Sequence, residues 1–120
     1  MANFTNEKKL QVWSKGKEVD GYDASKYRKD ACDAWIQWDK YGTEHDYGWE
    51  IDHVYPEAKG GNDNLINLRP MQWENNRSKA DDFPGYNSEI TSDGNKNVRK
   101  KQELTVSDAL LDELKKLYNL

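Results

Sequence analysis

The sequence predicts an α+β fold centred on a short hairpin followed by a helix, and three stretches carry that expectation. Trp49-Glu-Ile-Asp-His-Val alternates apolar and polar side chains, the period of a strand with one wet face. Residues 56–64, with Gly60-Gly61 and Asn62-Asp63-Asn64, read as loop, after which Asn67-Leu-Arg-Pro-Met is suited to return as a second strand. Nothing forbids a helix over residues 73–81, and Pro84-Gly85 stops it.

The flanking elements follow in order. Thr5 is placed to cap a first helix with Leu10 and Trp13 on one side, and Gly16 to end it in a left-handed conformation. Residues 22–28 hold turn formers and room for one helical turn, while Ala34-Trp-Ile-Gln-Trp favours a strand without a clear period. Glu89-Ile-Thr and Val98-Arg-Lys-Lys-Gln-Glu-Leu flank Ser92-Asp-Gly-Asn-Lys-Asn, a hairpin turn. Thr105 with Asp108 resembles a capping box for a last helix, in which Leu110, Leu111, Leu114, Leu117 and Tyr118 form an apolar stripe expected to pack on the parent domain. The expectation is one domain over residues 1–120, with its core motif at about 47–84 and an extension at about 86–120.

Composition narrows the function classes. Five Trp, seven Tyr and two Phe make a ring-rich core, and the one cysteine, Cys32, with two histidines excludes both an internal disulfide and a four-ligand Cys/His zinc site. No apolar run is long enough to span a membrane, and residues 1–10 lack the apolar stretch of a secretory signal, so a cytoplasmic location is expected. A net charge of −4 argues against nonspecific coating of nucleic acid. A local basic track is still available from Lys96, Arg99, Lys100 and Lys101, which are either a solvated strand face or backbone contacts, and from Arg69, Arg77 and Lys79.

The chemistry-bearing segment is Trp49 to Lys79: an Asp52-His53 pair at a strand end, a Gly-Gly loop, Asn67-Leu68, and Asn76-x-x-Lys79. This pattern resembles the HNH nuclease family, over about 30 residues of the motif. The resemblance implies a ββα-metal core and a metal-dependent endonuclease that hydrolyses DNA with one ion. It implies that Asp52 and Asn76 hold Mg²⁺ or Mn²⁺, both being oxygen donors suited to a hard cation. His53, with an ordinary pKa of about 6.5, would take a proton from water. Asn67 would tie down the loop that aims His53, Lys79 would approach the phosphate or leaving group, and Arg77 would hold a neighbouring phosphate.

The departures from the family are also specific. Relatives often bind a structural zinc through Cys-x-x-Cys pairs, but the downstream pair falls here at Gln72 and Asn75, and Cys32 is followed by Trp35 where its partner would be. No structural zinc is therefore expected, and packing of Trp35, Trp38, Trp49 and Trp73 is expected to replace it. The second metal-ligand position, a histidine in the bacteriocin nucleases, is Ala80, which favours the single-ion site. The rival expectation is an inactive module that keeps the fold to bind nucleic acid or protein. No partner protein is evident; a monomer would nick and a homodimer would cut both strands.

Overall fold

The computed structural model describes residues 3–120. Its elements run α1 (Asn6–Trp13), β1 (Tyr27–Lys29), β2 (Trp35–Gln37), β3 (Trp49–His53), β4 (Leu68–Gln72), α2 (Trp73–Lys79), β5 (Gly85–Asp93), β6 (Lys96–Thr105) and α3 (Asp108–Tyr118). The strands form three antiparallel pairs, β1 with β2, β3 with β4 and β5 with β6, so the chain is a mixed α+β domain. Among the described residues no helix is long and apolar enough to cross a membrane.

Thr5 caps α1 by accepting the Lys8 N–H at 3.1 Å. The buried side of α1 differs from the expected one: Val12 and Trp13 are buried, whereas Leu10 is 53% exposed. Trp13 sets that rotation, because its ring lies 5.2 Å from Trp49 and 5.7 Å from Trp38, and its Nε1 donates to the Ala24 carbonyl at 2.8 Å. Gly16 is not left-handed. Ser14 closes the helix by donating to the Leu10 carbonyl at 3.0 Å, and Gly16 instead faces the Arg28 side chain. The single turn expected over residues 22–28 is present, with the Tyr27 N–H on the Asp23 carbonyl at 2.9 Å.

Beyond β1, Asp30 is 1% exposed and anchors four donors. Its Oδ1 accepts the N–H groups of Cys32 and Ala34, each at 2.9 Å, and its Oδ2 accepts the Gln72 N–H at 2.9 Å and Asn75 Nδ2 at 3.2 Å. Burial pushes the Asp30 carboxyl up, against these four donors, which favour the anion. Gln72 caps α2 by accepting from Glu74 and Asn75, and the Asn75 amide bridges to the backbone of Glu89 and Ile90 in β5. At this place the expected ring packing of Trp35, Trp38, Trp49 and Trp73 is joined by polar groups. A polar knot occupies positions 30, 72 and 75 and joins three strand pairs, because amide and carboxylate groups that short can satisfy buried backbone that indole rings cannot. The rings make their own contacts: Trp38 and Trp49 pack with Trp13, Trp35 Nε1 donates to Gly94, and Trp73 Nε1 donates to His45.

The β3–β4 hairpin lies between two cores. Trp49, Ile51 and Leu68 pack with Val12, Trp13 and Ile36 on one side; Val54 and Met71 pack with Cys32, Tyr86, Val106 and Leu114 on the other. Helix α2 ends at Lys79 rather than 81, where Ala80 adopts a φ of 48°. The β5–β6 ribbon is longer than the sequence pattern indicated, with a register shift between Ser88 and Ile90. Ser107, not Thr105, caps α3, since Thr105 is still in β6, paired with Gly85. Leu114 is fully buried, with Leu110, Leu111 and Tyr118 packed beside it.

Candidate functional site

Strand β3 runs antiparallel to β4 with Asp52 opposite Arg69 and His53 opposite Leu68. Where β3 gives way to the loop, Gly60 takes a φ of 112°, and Gly61 lies so close to Tyr55 that a Cβ there would stand 1.8 Å from its carbonyl oxygen. Only glycine permits that fold-back. Asn67, fully buried, then clamps the loop: its Oδ1 accepts the Tyr55 N–H at 2.7 Å, and its Nδ2 donates to the carbonyls of Tyr55 at 3.0 Å and Asn62 at 3.1 Å. The Tyr118 hydroxyl fixes the loop to α3 by bonding Oδ1 of Asn62 at 2.8 Å.

The clamped loop brings two carboxylates to His53. Its Nε2 lies 2.7 Å from Asp63 Oδ1 and its Nδ1 3.7 Å from Glu57 Oε1. One ligand atom from each of His53, Glu57 and Asp63 lies within 4.8 Å of the others, so the three form a group able to hold a metal ion. The sequence signal for them was present but short-range: Glu57 follows His53 by four residues, and Asp63 sits in the Asn-rich loop.

Asp52 is 3% exposed and engaged at both oxygens. Oδ2 accepts Arg69 Nε at 2.9 Å, and Oδ1 faces Lys79 Nζ at 3.3 Å. Lys79, fully buried, also donates to the His53 carbonyl at 3.2 Å, so it lies behind the strand end and does not line the cleft that Asp52 and His53 line. Arg69 is likewise buried and paired with Asp52, its guanidinium 5.1 Å from the Tyr86 ring, which removes its charge from the surface. The two cations shift in opposite directions. Burial pulls Lys79 down despite Asp52, whereas Asp52 and Tyr86 outweigh burial and raise Arg69. The shorter Arg69 bond agrees, making Arg69 the firmer partner.

On α2, Asn76 Nδ2 donates to Glu50 Oε1 at 3.0 Å, so its carbonyl oxygen is the atom left to offer a cation. Glu50, which sequence reasoning passed over, lies two residues before Asp52 on the same strand face. Arg77 reaches Glu44 at 2.5 Å and Glu50 at 3.4 Å, and the hydrogen bond to Glu44 is the main reason its pKa is raised.

Asp52, His53, Asn76 and Glu50 line one cleft of about 480 Å³, along with Lys9 and Tyr41. A larger cleft of about 640 Å³, walled by Leu65, Leu68, Tyr86 and Leu110, holds none of these four, so size does not identify the chemistry. Lys96, Arg99, Lys100 and Lys101 lie on β6, outside the cleft. Arg99 pairs with Glu74 at 2.5 Å and Glu89 at 3.7 Å, and strand alternation turns Lys100 and Lys101 to opposite faces. Comparisons with protein-family models, with curated proteins and with solved structures find no match to this chain, so the chemistry of the cleft is read from its own residues.

Proposed function

We propose that the chain is a divalent-metal-dependent nuclease of the HNH kind, hydrolysing DNA phosphodiester bonds in the cleft between the end of β3 and α2. The observation that carries this is the convergence of Asp52 and His53 from β3 with Asn76 from α2 on one cleft, to which Glu50 adds a further carboxylate. Glu50, Asp52 and Asn76 offer oxygen only, a donor set that fits Mg²⁺ or Mn²⁺. A bound ion of that class supplies positive charge to the crowded phosphate of the transition state. His53 takes the proton of the attacking water. Asp63, accepting from Nε2, fixes the tautomer so that Nδ1 is the basic nitrogen, and Asn67 holds the backbone that carries both. Lys79 steadies the His53 carbonyl and offsets the Asp52 charge.

A plasmid-nicking assay with Mg²⁺, and with EDTA as control, tests the proposal. EDTA-sensitive conversion of supercoiled to nicked DNA is expected. A second reading, an inactive module that binds nucleic acid or protein, is favoured by the double engagement of Asp52. DNA binding without cleavage in Mg²⁺ or Mn²⁺ would establish that alternative.

A further inference from the structure

His53, Glu57 and Asp63 differ in chemistry from the all-oxygen donors on the α2 side of the cleft. One imidazole nitrogen and two carboxylates are the ligand types that bind Zn²⁺, and the nitrogen disfavours Mg²⁺, which prefers oxygen. The parts are unequally mobile. His53 is only 14% exposed at its side chain, its ring 6.3 Å from that of Phe4 and tilted to it, whereas Glu57 and Asp63 are 64% and 50% exposed. Their ligand atoms span at most 4.8 Å, against a donor separation of roughly 3.4 Å in a tetrahedral zinc site with bonds near 2.0–2.1 Å. Rotation of two solvent-facing carboxylates closes that difference, while Gly60, Gly61 and Asn67 keep the loop backbone in place.

We propose that His53, Glu57 and Asp63 form a second metal site, selective for a Zn²⁺-class ion, and that filling it switches off the cleft. The binding half stands by itself; the inhibitory half rests on the nuclease reading. Neutral imidazole has one N–H and one lone pair on its two nitrogens. An ion bonded to either nitrogen takes that lone pair and leaves the ring proton on the other, so no basic nitrogen remains to accept a proton from water. Where the ion sits on Nε2, the ring proton moves to Nδ1 and Asp63 exchanges its hydrogen bond to the ring for a bond to the ion.

The test uses the full chain in excess Mg²⁺, titrated with Zn²⁺ while the His53 ring resonances are followed by NMR, with Co²⁺ absorption as a second probe. Zinc is expected to shift His53 and leave His45 unchanged, and Glu57→Gln and Asp63→Asn are each expected to weaken binding by at least tenfold. Cleavage by each variant in added Zn²⁺ is then compared with its own rate in Mg²⁺ alone, and the wild type should be inhibited at concentrations the variants tolerate. Unshifted His53 resonances, or equal zinc affinity in wild type and both variants, would overturn the site. Zinc bound at His53 in a protein that fails to cleave DNA in either Mg²⁺ or Mn²⁺ would keep the site and remove the nuclease reading. Zinc binding at the triad with undiminished cleavage would remove the inhibitory half.

Discussion

Asp52 is held between a guanidinium at 2.9 Å and an ammonium at 3.3 Å, and on the nuclease proposal the weaker of the two contacts is where an ion would compete. Taking Lys79 out of water costs more than its attraction to Asp52 returns, which is why its pKa falls while that of Arg69 rises. Lys79→Met therefore has two separable outcomes. Folding stability should drop by about 1–3 kcal/mol, since Asp52 keeps Arg69 but the His53 carbonyl loses its donor. Mn²⁺ affinity should rise, because the competing ammonium is gone, and calorimetric titration of variant against wild type reads the difference. Weaker Mn²⁺ binding in Lys79→Met would mean that Asp52 is a structural anion and not a ligand. His53→Ala probes the other half of the cleft: the rate of plasmid cleavage should fall by roughly 10²–10⁴-fold while the urea midpoint stays close to wild type. Cleavage at an unchanged rate would assign the proton transfer to another group.

At the scale of elements, the β3–β4 hairpin and α2 were legible because their signals are local: a period of two, a Gly-Gly loop, a helix ended before Pro84. Asn67 as a loop tie was legible only through the family resemblance of its motif; its partners are Tyr55, 12 residues away, and Asn62, five away. Asn67→Ala should cost about 1–3 kcal/mol, leaving the part-buried Tyr55 N–H without its acceptor. It should also lower kcat, since the loop that aims Asp63 at His53 is released. Denaturation and steady-state cleavage on one preparation measure both effects, and full activity in the variant would free Asn67 of any positioning role. What local pattern could not show is the Asp30 knot, whose partners Gln72 and Asn75 lie 42 and 45 residues away. The cap on Ser107 and the burial of Val12 in place of Leu10 escaped for a related reason: tertiary packing, not propensity, chose between adjacent positions. Asn75→Ala should lower stability by at least about 3 kcal/mol, as the N–H groups of Glu89 and Ile90 lose their acceptor. A urea midpoint within experimental error of wild type would show that the knot carries no weight.

At the scale of the whole molecule, the hairpin that carries the cleft is supported by two cores, and Cys32 reports on the second of them. Packed among Val54, Met71, Tyr86, Val106 and Leu114, it is 3% exposed, and burial pushes its thiol up from 9.0 to about 12. The unfolded chain begins to shed this proton near pH 9.0 while the fold retains it, so the thiol lowers stability as pH rises above that value. The same shift governs reactivity, because only the thiolate attacks an alkylating reagent. At pH 8 the native thiolate fraction is on the order of 10⁻⁴, so iodoacetamide labelling should proceed through opening of the core and not through the closed state. Leu114→Ala removes the one fully buried side chain of α3, which should cost about 2–5 kcal/mol and accelerate labelling while the wild type stays protected. Labelling followed by mass spectrometry at pH 8 distinguishes the cases. Wild-type Cys32 reacting as fast as a free thiol would mean that α3 does not seal this core, and with it would go the Tyr118 contact that holds the loop after β3 in place.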